Sequence, residues 1–300
     1  MPYRLVKTCL QAEIIIFAKR TWKSRFLTHT GIQKNELFLS RADTAEGLHI
    51  MFKTTNALVL REVKYKEADK ILTVLTEDEG KLTVSAKGVM RRGSKIAAAC
   101  QLLTFSEMTL FENRGKWYVN EAEPAEQFLG LRDDIARLSL GAYFAELMEA
   151  VSDEDSPNPA ILHLGLNSLY VLSTGLFTQA HIKAVFELRL MCLSGYEPSL
   201  ECCPICGKEN INSPVFSTLG GTVLCGKCQG DSRDANFRLC DASLAAMRYI
   251  AGAENKKIFS FSLEEAPMKR LCAACEAYVS AQLERRFSAL DYFKSITKSI

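Results

Sequence analysis

Cys203-Pro204-Ile205-Cys206-Gly207 and Cys225-Gly226-Lys227-Cys228, with eighteen residues between the two pairs, constrain this chain more than any other feature. Two residues between thiols let both sulfurs of a knuckle turn inward, and the intervening loop is long enough to bring the second knuckle opposite the first. Four thiolates at about 2.3 Å then close a tetrahedron around Zn²⁺, with no position open for a substrate. Gly207 directly follows one knuckle, and Gly220-Gly221 allow a hairpin to return the chain for the other. Such a site is structural. In so short a stretch the metal substitutes for a hydrophobic core, so its removal is expected to unfold at least residues 200–230. Cys203, Cys206, Cys225 and Cys228 are thus the expected ligands of one structural zinc per chain, and Cys202 reads as a spare thiol.

The other cysteines point to packing. Cys272-Ala273-Ala274-Cys275 has knuckle spacing, but it lies in a strongly helical run, where thiols at i and i+3 share one face; a buried Cys is a common small hydrophobe. The total of eleven is odd, and no cleavable signal peptide is apparent. A disulfide framework is therefore not expected, and a reducing compartment is. The longest early apolar run, Ile14 to Ala18, is far shorter than the roughly 20 residues that cross a bilayer. A cytosolic protein without a membrane partner follows.

Charge is informative by its distribution. Residues 1–50 hold eight Lys/Arg and four Asp/Glu, which leaves 29 of the chain's 37 basic and 31 of its 35 acidic residues in 51–300. A nucleic-acid surface on the main body must then be a local patch. Residues 1–50 also mix basic and apolar residues without clear periodicity, whereas a well-patterned domain starts at Met51. The expectation is an N-terminal extension 1–50 upstream of a true start at Met51, with an acid-poor transit peptide as the alternative.

From Met51 to about Phe128 the period is that of strands. Ala57-Leu58-Val59-Leu60, Lys70-Ile71-Leu72-Thr73-Val74-Leu75, Lys81-Leu82-Thr83-Val84-Ser85, Leu103 to Leu110 and Lys116-Trp117-Tyr118-Val119 are five β-rich runs. Glu77-Asp78-Glu79-Gly80 and Asn113-Arg114-Gly115 supply tight turns between them. Five short antiparallel strands in such a length suit a small barrel, of which the OB-fold is the common nucleic-acid-binding form. After Pro124 the period becomes helical, over 135–151, 161–172, 177–194, 242–251 and 268–294, with a polar break at 152–159. The expected architecture is α+β: an OB-fold barrel (51–130), an all-α domain (131–199 and 235–300), and a zinc module (200–234) inserted into it.

Residues 81–95 carry five positive charges and no negative one. Lys81, Lys87, Arg91, Arg92 and Lys95 are candidates to track a phosphate backbone, with Gly88 and Gly93 allowing close approach. Arg114 and Lys116 add charge nearby, and Trp117 and Tyr118 offer stacking faces, although Trp117 suits the core equally. Gly88 to Lys95 has the spacing of a phosphate-binding P-loop with its last two residues exchanged; the amine and hydroxyl then fall in the wrong order for nucleotide and Mg²⁺. No other catalytic signature appears, and no enzyme activity is expected.

The order of parts resembles one known family. Asn56-Ala57-Leu58-Val59-Leu60, Tyr65-Lys66-Glu67-Ala68-Asp69-Lys70-Ile71-Leu72, Gly80-Lys81-Leu82 and Ala86-Lys87-Gly88-Val89-Met90-Arg91-Arg92 are followed by Leu200-Glu201-Cys202-Cys203-Pro204-Ile205-Cys206-Gly207, Phe216-Ser217 with Gly220-Gly221, Cys225 and Cys228, and Leu283-Glu284-Arg285-Arg286-Phe287-Ser288-Ala289-Leu290-Asp291. Over 51–300 this series is similar to the bacterial RecO family of recombination mediators. The resemblance implies binding of single- and double-stranded DNA, annealing of complementary strands, and work with RecR to load RecA onto DNA coated by single-stranded DNA-binding protein. It further implies that the helical domain receives that protein's C-terminal tail and that the protein is cytoplasmic, at the nucleoid. The alternative is a scaffold for RecR and single-stranded DNA-binding protein with weak DNA affinity. Two features depart from the family pattern: residues 1–50, and the Ala-Ala-Ala-Cys after Ile96, where a polar DNA-facing loop is expected.

Overall fold

The computed structural model describes residues 52–229, 236–254 and 256–297; the extension 1–50 and the start expected at Met51 lie outside them. By internal packing they form two compact units, residues 52–129 with Ala145–Leu162, and Gly130–Phe144 with the described part of His163–Ile300.

In the first unit β1 (Phe52–Tyr65), β2 (Asp69–Thr76), β3 (Lys81–Ala86), β4 (Phe105–Asn113) and β5 (Lys116–Glu126) close an OB-like barrel in the order β1-β2-β3-β5-β4. At 14 residues β1 far exceeds its apolar run, because its halves pair differently: residues 52–58 with β4 and 57–65 with β2. The β1–β2 register shifts between Val59 and Arg61, and such a bulge bends the strand around the barrel. Strand alternation then sends Val59, Leu72, Val74, Val84, Met108 and Leu110 into one core.

One pairing departs from the all-antiparallel expectation. β3 and β5 run parallel, Val84 opposite Trp117 and Ser85 opposite Tyr118. A short hairpin joins only antiparallel strands, so this contact needs the crossover over residues 87–104. That crossover explains the apolar stretch after Ile96. Val89, Ala99 and Cys100 are buried in the barrel core, with Ile96 and Ala97 packed against it. The segment plugs the barrel instead of facing solvent, and burial pushes the Cys100 thiol up to about 12. At the β4–β5 turn Arg114 (φ 52) and Gly115 (φ 71) are both left-handed, as a two-residue type I′ hairpin requires. At the β2–β3 turn Gly80 (φ 72) presses its backbone on the chain at 153–156; a Cβ there would lie 2.7 Å from the Ser156 carbonyl oxygen.

The helices are α1 (Ile135–Val151), α2 (Pro159–Thr174), α3 (Gln179–Leu193), α4 (Asp241–Gly252), α5 (Glu265–Leu283) and α6 (Ser288–Thr297). Their ends follow local chemistry. The Asp134 carboxylate accepts from the Ala136 N–H at 2.8 Å, Pro159 opens α2, and the Thr178 hydroxyl accepts from the His181 N–H at 3.3 Å. Gly195 (φ 89) ends α3, with the Tyr196 N–H donating to the Met191 carbonyl at 2.8 Å. The helical run expected over 268–294 is divided into α5 and α6, since Glu284 takes a left-handed φ of 49° between them.

α3 is buried on nearly every side, and its middle carries charge. Lys183 Nζ lies 2.8 Å from Glu187 and 2.9 Å from Glu276 of α5. Glu276 also pairs with Lys294 of α6, and the Tyr143 hydroxyl of α1 donates to Glu187 at 2.7 Å. Burial alone would lower the Lys183 pKa, but the two carboxylates outweigh it and hold the amine above its usual value. Burial raises Glu187 despite Lys183. Removing one partner of a buried ion set leaves charge uncompensated, a loss of about 3–5 kcal/mol. Urea unfolding of Lys183→Met should show destabilisation of that order, and Lys183→Met/Glu187→Leu a smaller one. A double variant no better than the single would contradict the pairing.

Candidate metal centre and nucleic-acid interface

The first knuckle is folded by its own backbone. The Gly207 N–H donates to the Cys203 carbonyl at 2.8 Å, and Gly207 takes the left-handed φ of 69° that continues the turn. In its counterpart the Cys228 and Gln229 N–H groups both donate to the Cys225 carbonyl, at 2.9 and 3.2 Å. Between them β6 (Val215–Ser217) and β7 (Thr222–Leu224) form a hairpin, and β8 (Asn236–Arg238) completes a three-stranded sheet with β6 at its centre. Gly221 (φ 59) turns the hairpin where a Cβ would come within 3.0 Å of the Tyr278 hydroxyl. Helices anchor the module: Phe216 packs edge-on to Tyr278 of α5 at 5.2 Å, Gln282 donates to the Thr218 carbonyl, and Arg248 of α4 donates to the carbonyls of Leu200 and Glu201.

This geometry brings the sulfurs of Cys203, Cys206, Cys225 and Cys228 within 4.8 Å of one another. Metal–sulfur bonds of about 2.3 Å give a tetrahedral edge of about 3.8 Å. The Cys206 and Cys225 sulfurs stand at 3.8 Å. The cluster therefore fits a tetrahedral ion held by four thiolates, and it is the one such group among the described residues. Burial raises the Cys203 pKa, but N–H groups of Cys225, Cys206 and Ile205 directed at its sulfur outweigh this and bring it to about 6. The neighbouring thiols of Cys225 and Cys206 push Cys228 up to about 12. Cys202 stands outside the cluster. Cys275 is fully buried in α5, and the Cys272 thiol donates to the Ala180 carbonyl at 3.3 Å, so these two pack as the sequence suggests. His181 is likewise a packing residue, its ring 4.4 Å from that of Phe261 and its pKa lowered by burial to about 4.

On the barrel, the seven expected basic residues are divided. Lys81 begins β3, six residues from Lys87 and so about 20 Å away along the strand. Its amine donates to the Glu149 carbonyl at 3.0 Å, which sets it apart from the others. Lys87, Arg91, Arg92 and Lys95 are exposed in the crossover. Two bonds fix this crossover to the β1–β2 turn: the Gly88 N–H donates to the Asp69 carboxylate at 2.7 Å, and the Met90 N–H to the Ala68 carbonyl at 2.9 Å. Exposed Lys64 and Lys66, which sequence reasoning passed over, are thereby brought beside the crossover cations. The signal that marks them is their place at the β1–β2 turn, Lys64 near the end of β1 and Lys66 in the loop itself, one of the two loops with which OB barrels hold oligonucleotides. Arg114 and Lys116 are exposed at the other such loop, between β4 and β5. The 88–95 stretch is followed by turns, so it lacks the helix start on which a P-loop seats phosphate. Trp117 packs against the core, whereas Tyr118 points outward with Lys87 Nζ 4.4 Å from its ring centroid.

Comparison with known proteins agrees with this arrangement. Residues 132–291 match the family described as Recombination protein O C terminal, and residues 51–128 match Recombination protein O N terminal. The DNA repair protein RecO of Acetivibrio thermocellus is 33% identical over 244 residues, covering 81% of this chain and 97% of that protein. That of Alkaliphilus metalliredigens is 33% identical over 248 residues, covering 82% of this chain and 100% of the relative. That of Symbiobacterium thermophilum is 30% identical over 244 residues, with 80% and 96% covered. Among the described residues no helix is long and apolar enough to cross a membrane.

Metal capture by this cluster must displace the proton that Cys228 retains, because the neighbouring thiols hold its pKa above the usual thiol value. Competition with a chromophoric chelator should show affinity for a four-thiolate ion climbing as pH rises from 6 to 8. Stripping the ion should abolish hydrogen-exchange protection at Gly207, Gly226 and Cys228 while α1–α3 stay protected. An affinity independent of pH, or protection that survives stripping, would contradict a metal-built module.

Proposed function

This chain belongs to the RecO family of DNA repair proteins, and we propose that it is a DNA-binding recombination mediator with no catalytic step of its own. The observation that carries this reading is the clustering of Lys64, Lys66, Lys87, Arg91 and Arg92, two separate segments held together by the Gly88 and Met90 hydrogen bonds. Cations gathered on a rigid barrel neutralise phosphates and release counterions, for single strands and duplexes alike. Contacts to backbone leave base edges free, so two strands held in this way can anneal. RecR, and the acidic, hydrophobic tail of single-stranded DNA-binding protein received by the helical unit, would bring the mediator to coated DNA for RecA loading. The ion of the four-cysteine cluster is zinc in this reading: four soft thiolates in a closed tetrahedron suit it, and its contribution is to hold the module folded. The site of action is the cytoplasm, at the nucleoid.

Fluorescence anisotropy with a labelled single strand tests the proposal. Log affinity should fall linearly with log salt by about 0.7 per phosphate neutralised. Arg91→Glu/Arg92→Glu should lower affinity at least tenfold at low salt and reduce the slope by about 1.4. Equal binding by wild type and variant would move the DNA site off this cluster, and negligible binding by both would favour the scaffold for RecR and single-stranded DNA-binding protein.

A further inference from the structure

Ser94 is the one uncharged polar side chain between Gly88 and Lys95, and the cations around it leave it without a task. It closes a turn. Its N–H donates to the Arg91 carbonyl at 3.1 Å, and Gly93 before it takes the left-handed φ of 80° that the third position of a type II turn requires. The ends of such a turn lie within about 7 Å, so the Ser94 hydroxyl stands close to Arg91, with Lys95 next in the chain. The turn is clear of the barrel: a Cβ on Gly93 would meet no atom within 4 Å, and Arg91, Arg92 and Lys95 are exposed. Ser94 is half-buried, and its hydroxyl has no hydrogen-bond partner among the described residues. A second Arg-Arg-x-Ser, Arg285-Arg286-Phe287-Ser288, supplies a comparison within the same chain. There Phe287 is 3% exposed and packs edge-on to Tyr143 at 5.6 Å, with Arg285 over its ring at 5.1 Å. The barrel turn therefore offers to an outside protein a sequence that the helical unit withholds.

We propose that Ser94 is the acceptor for a serine kinase and that its phosphate closes the basic surface to DNA; the second half rests on the reading that the barrel binds DNA. Arginines three and two residues ahead of a hydroxyl form a charge pattern that an acidic kinase cleft selects. In the transfer the Ser94 oxygen attacks the γ-phosphorus of ATP and its proton passes to the catalytic base of the kinase. The bond from that phosphorus to the β–γ bridging oxygen breaks, and ADP leaves. The product carries a charge of about −1.5 to −2 and three acceptor oxygens. Within reach of Arg91 and Lys95 it forms charge-assisted hydrogen bonds, bidentate where the guanidinium fork meets it. About two of the cations offered to DNA are then neutralised inside the protein, and an approaching strand meets like charge. The rest of the crossover need not move, because Val89, Ala99 and Cys100 hold it in the barrel core.

The test treats the full-length chain with ATP and a purified arginine-directed serine kinase, locates the phosphate by mass spectrometry and follows binding to a labelled single strand. Phosphate should appear at Ser94 and not at Ser288. The modified chain should bind at least tenfold more weakly at low salt, with the slope of log affinity on log salt smaller by about 1.4. A phosphatase should restore both. Ser94→Ala should keep wild-type affinity through the same treatment. A kinase that modifies a peptide of residues 87–98 but leaves Ser94 of the folded chain untouched would overturn the acceptor site. Unchanged DNA binding by the phosphorylated chain would overturn the switch, provided that Arg91→Glu/Arg92→Glu still weakens binding. Indifference of binding to Arg91→Glu/Arg92→Glu would instead sink the barrel reading, and the switch with it.

Discussion

The parallel contact of β3 with β5 spans Val84–Trp117 and Ser85–Tyr118 alone, yet closure of the barrel depends on it. Without it two strands would present unpaired N–H and C=O groups along their edges. The contact requires a crossover, and the crossover has two tasks at once. Its Val89, Ala99 and Cys100 fill the barrel, while its Arg91, Arg92 and Lys95 face solvent. The same contact sets Tyr118 beside Ser85 and hence beneath Lys87. Core, basic surface and outward-facing ring are thus consequences of one connection.

The second unit solves its problems with ions. α3 is too deeply buried to discharge Lys183 into solvent, so Glu187 and Glu276 neutralise it in place and Tyr143 satisfies a carboxylate oxygen. Because the partners come from α1, α5 and α6, the set also fixes how these helices meet α3. The module of residues 203–228 buries Ile211, Val215, Phe216, Val223 and Leu224 in a small core, and the four thiols draw its two knuckles together beside it. Its attachment is apolar and polar together, Phe216 on Tyr278 and Arg248 on two carbonyls.

Local chemistry was legible in the sequence; long-range pairing was not. Knuckle spacing revealed the four-cysteine cluster, because two intervening residues determine sulfur geometry without reference to the rest of the chain. Alternation revealed the strands, and Asp134, Pro159 and Gly195 marked helix ends. The parallel closure escaped detection, since no local pattern distinguishes a strand that will pair with a distant neighbour. The length of β1 was hidden for the same reason, its ends being polar where they leave the core. Lys81 is contiguous in sequence with the basic stretch, but β3 carries it away from Lys87 and its amine turns to the Glu149 carbonyl; Lys64 and Lys66 are distant in sequence from the crossover cations and come near them only through the Met90–Ala68 bond. The break at Glu284 carries no glycine or proline to announce it.

In the proposed function DNA lies on the barrel, over its basic turns. Hydrogen–deuterium exchange of the full chain with and without a bound single strand tests it most directly. Added protection is expected at residues 64–68, 87–95 and 111–118, with the four-cysteine module at 203–228 unchanged. Protection confined to the helices or the four-cysteine module, with the barrel loops exchanging as before, would contradict it.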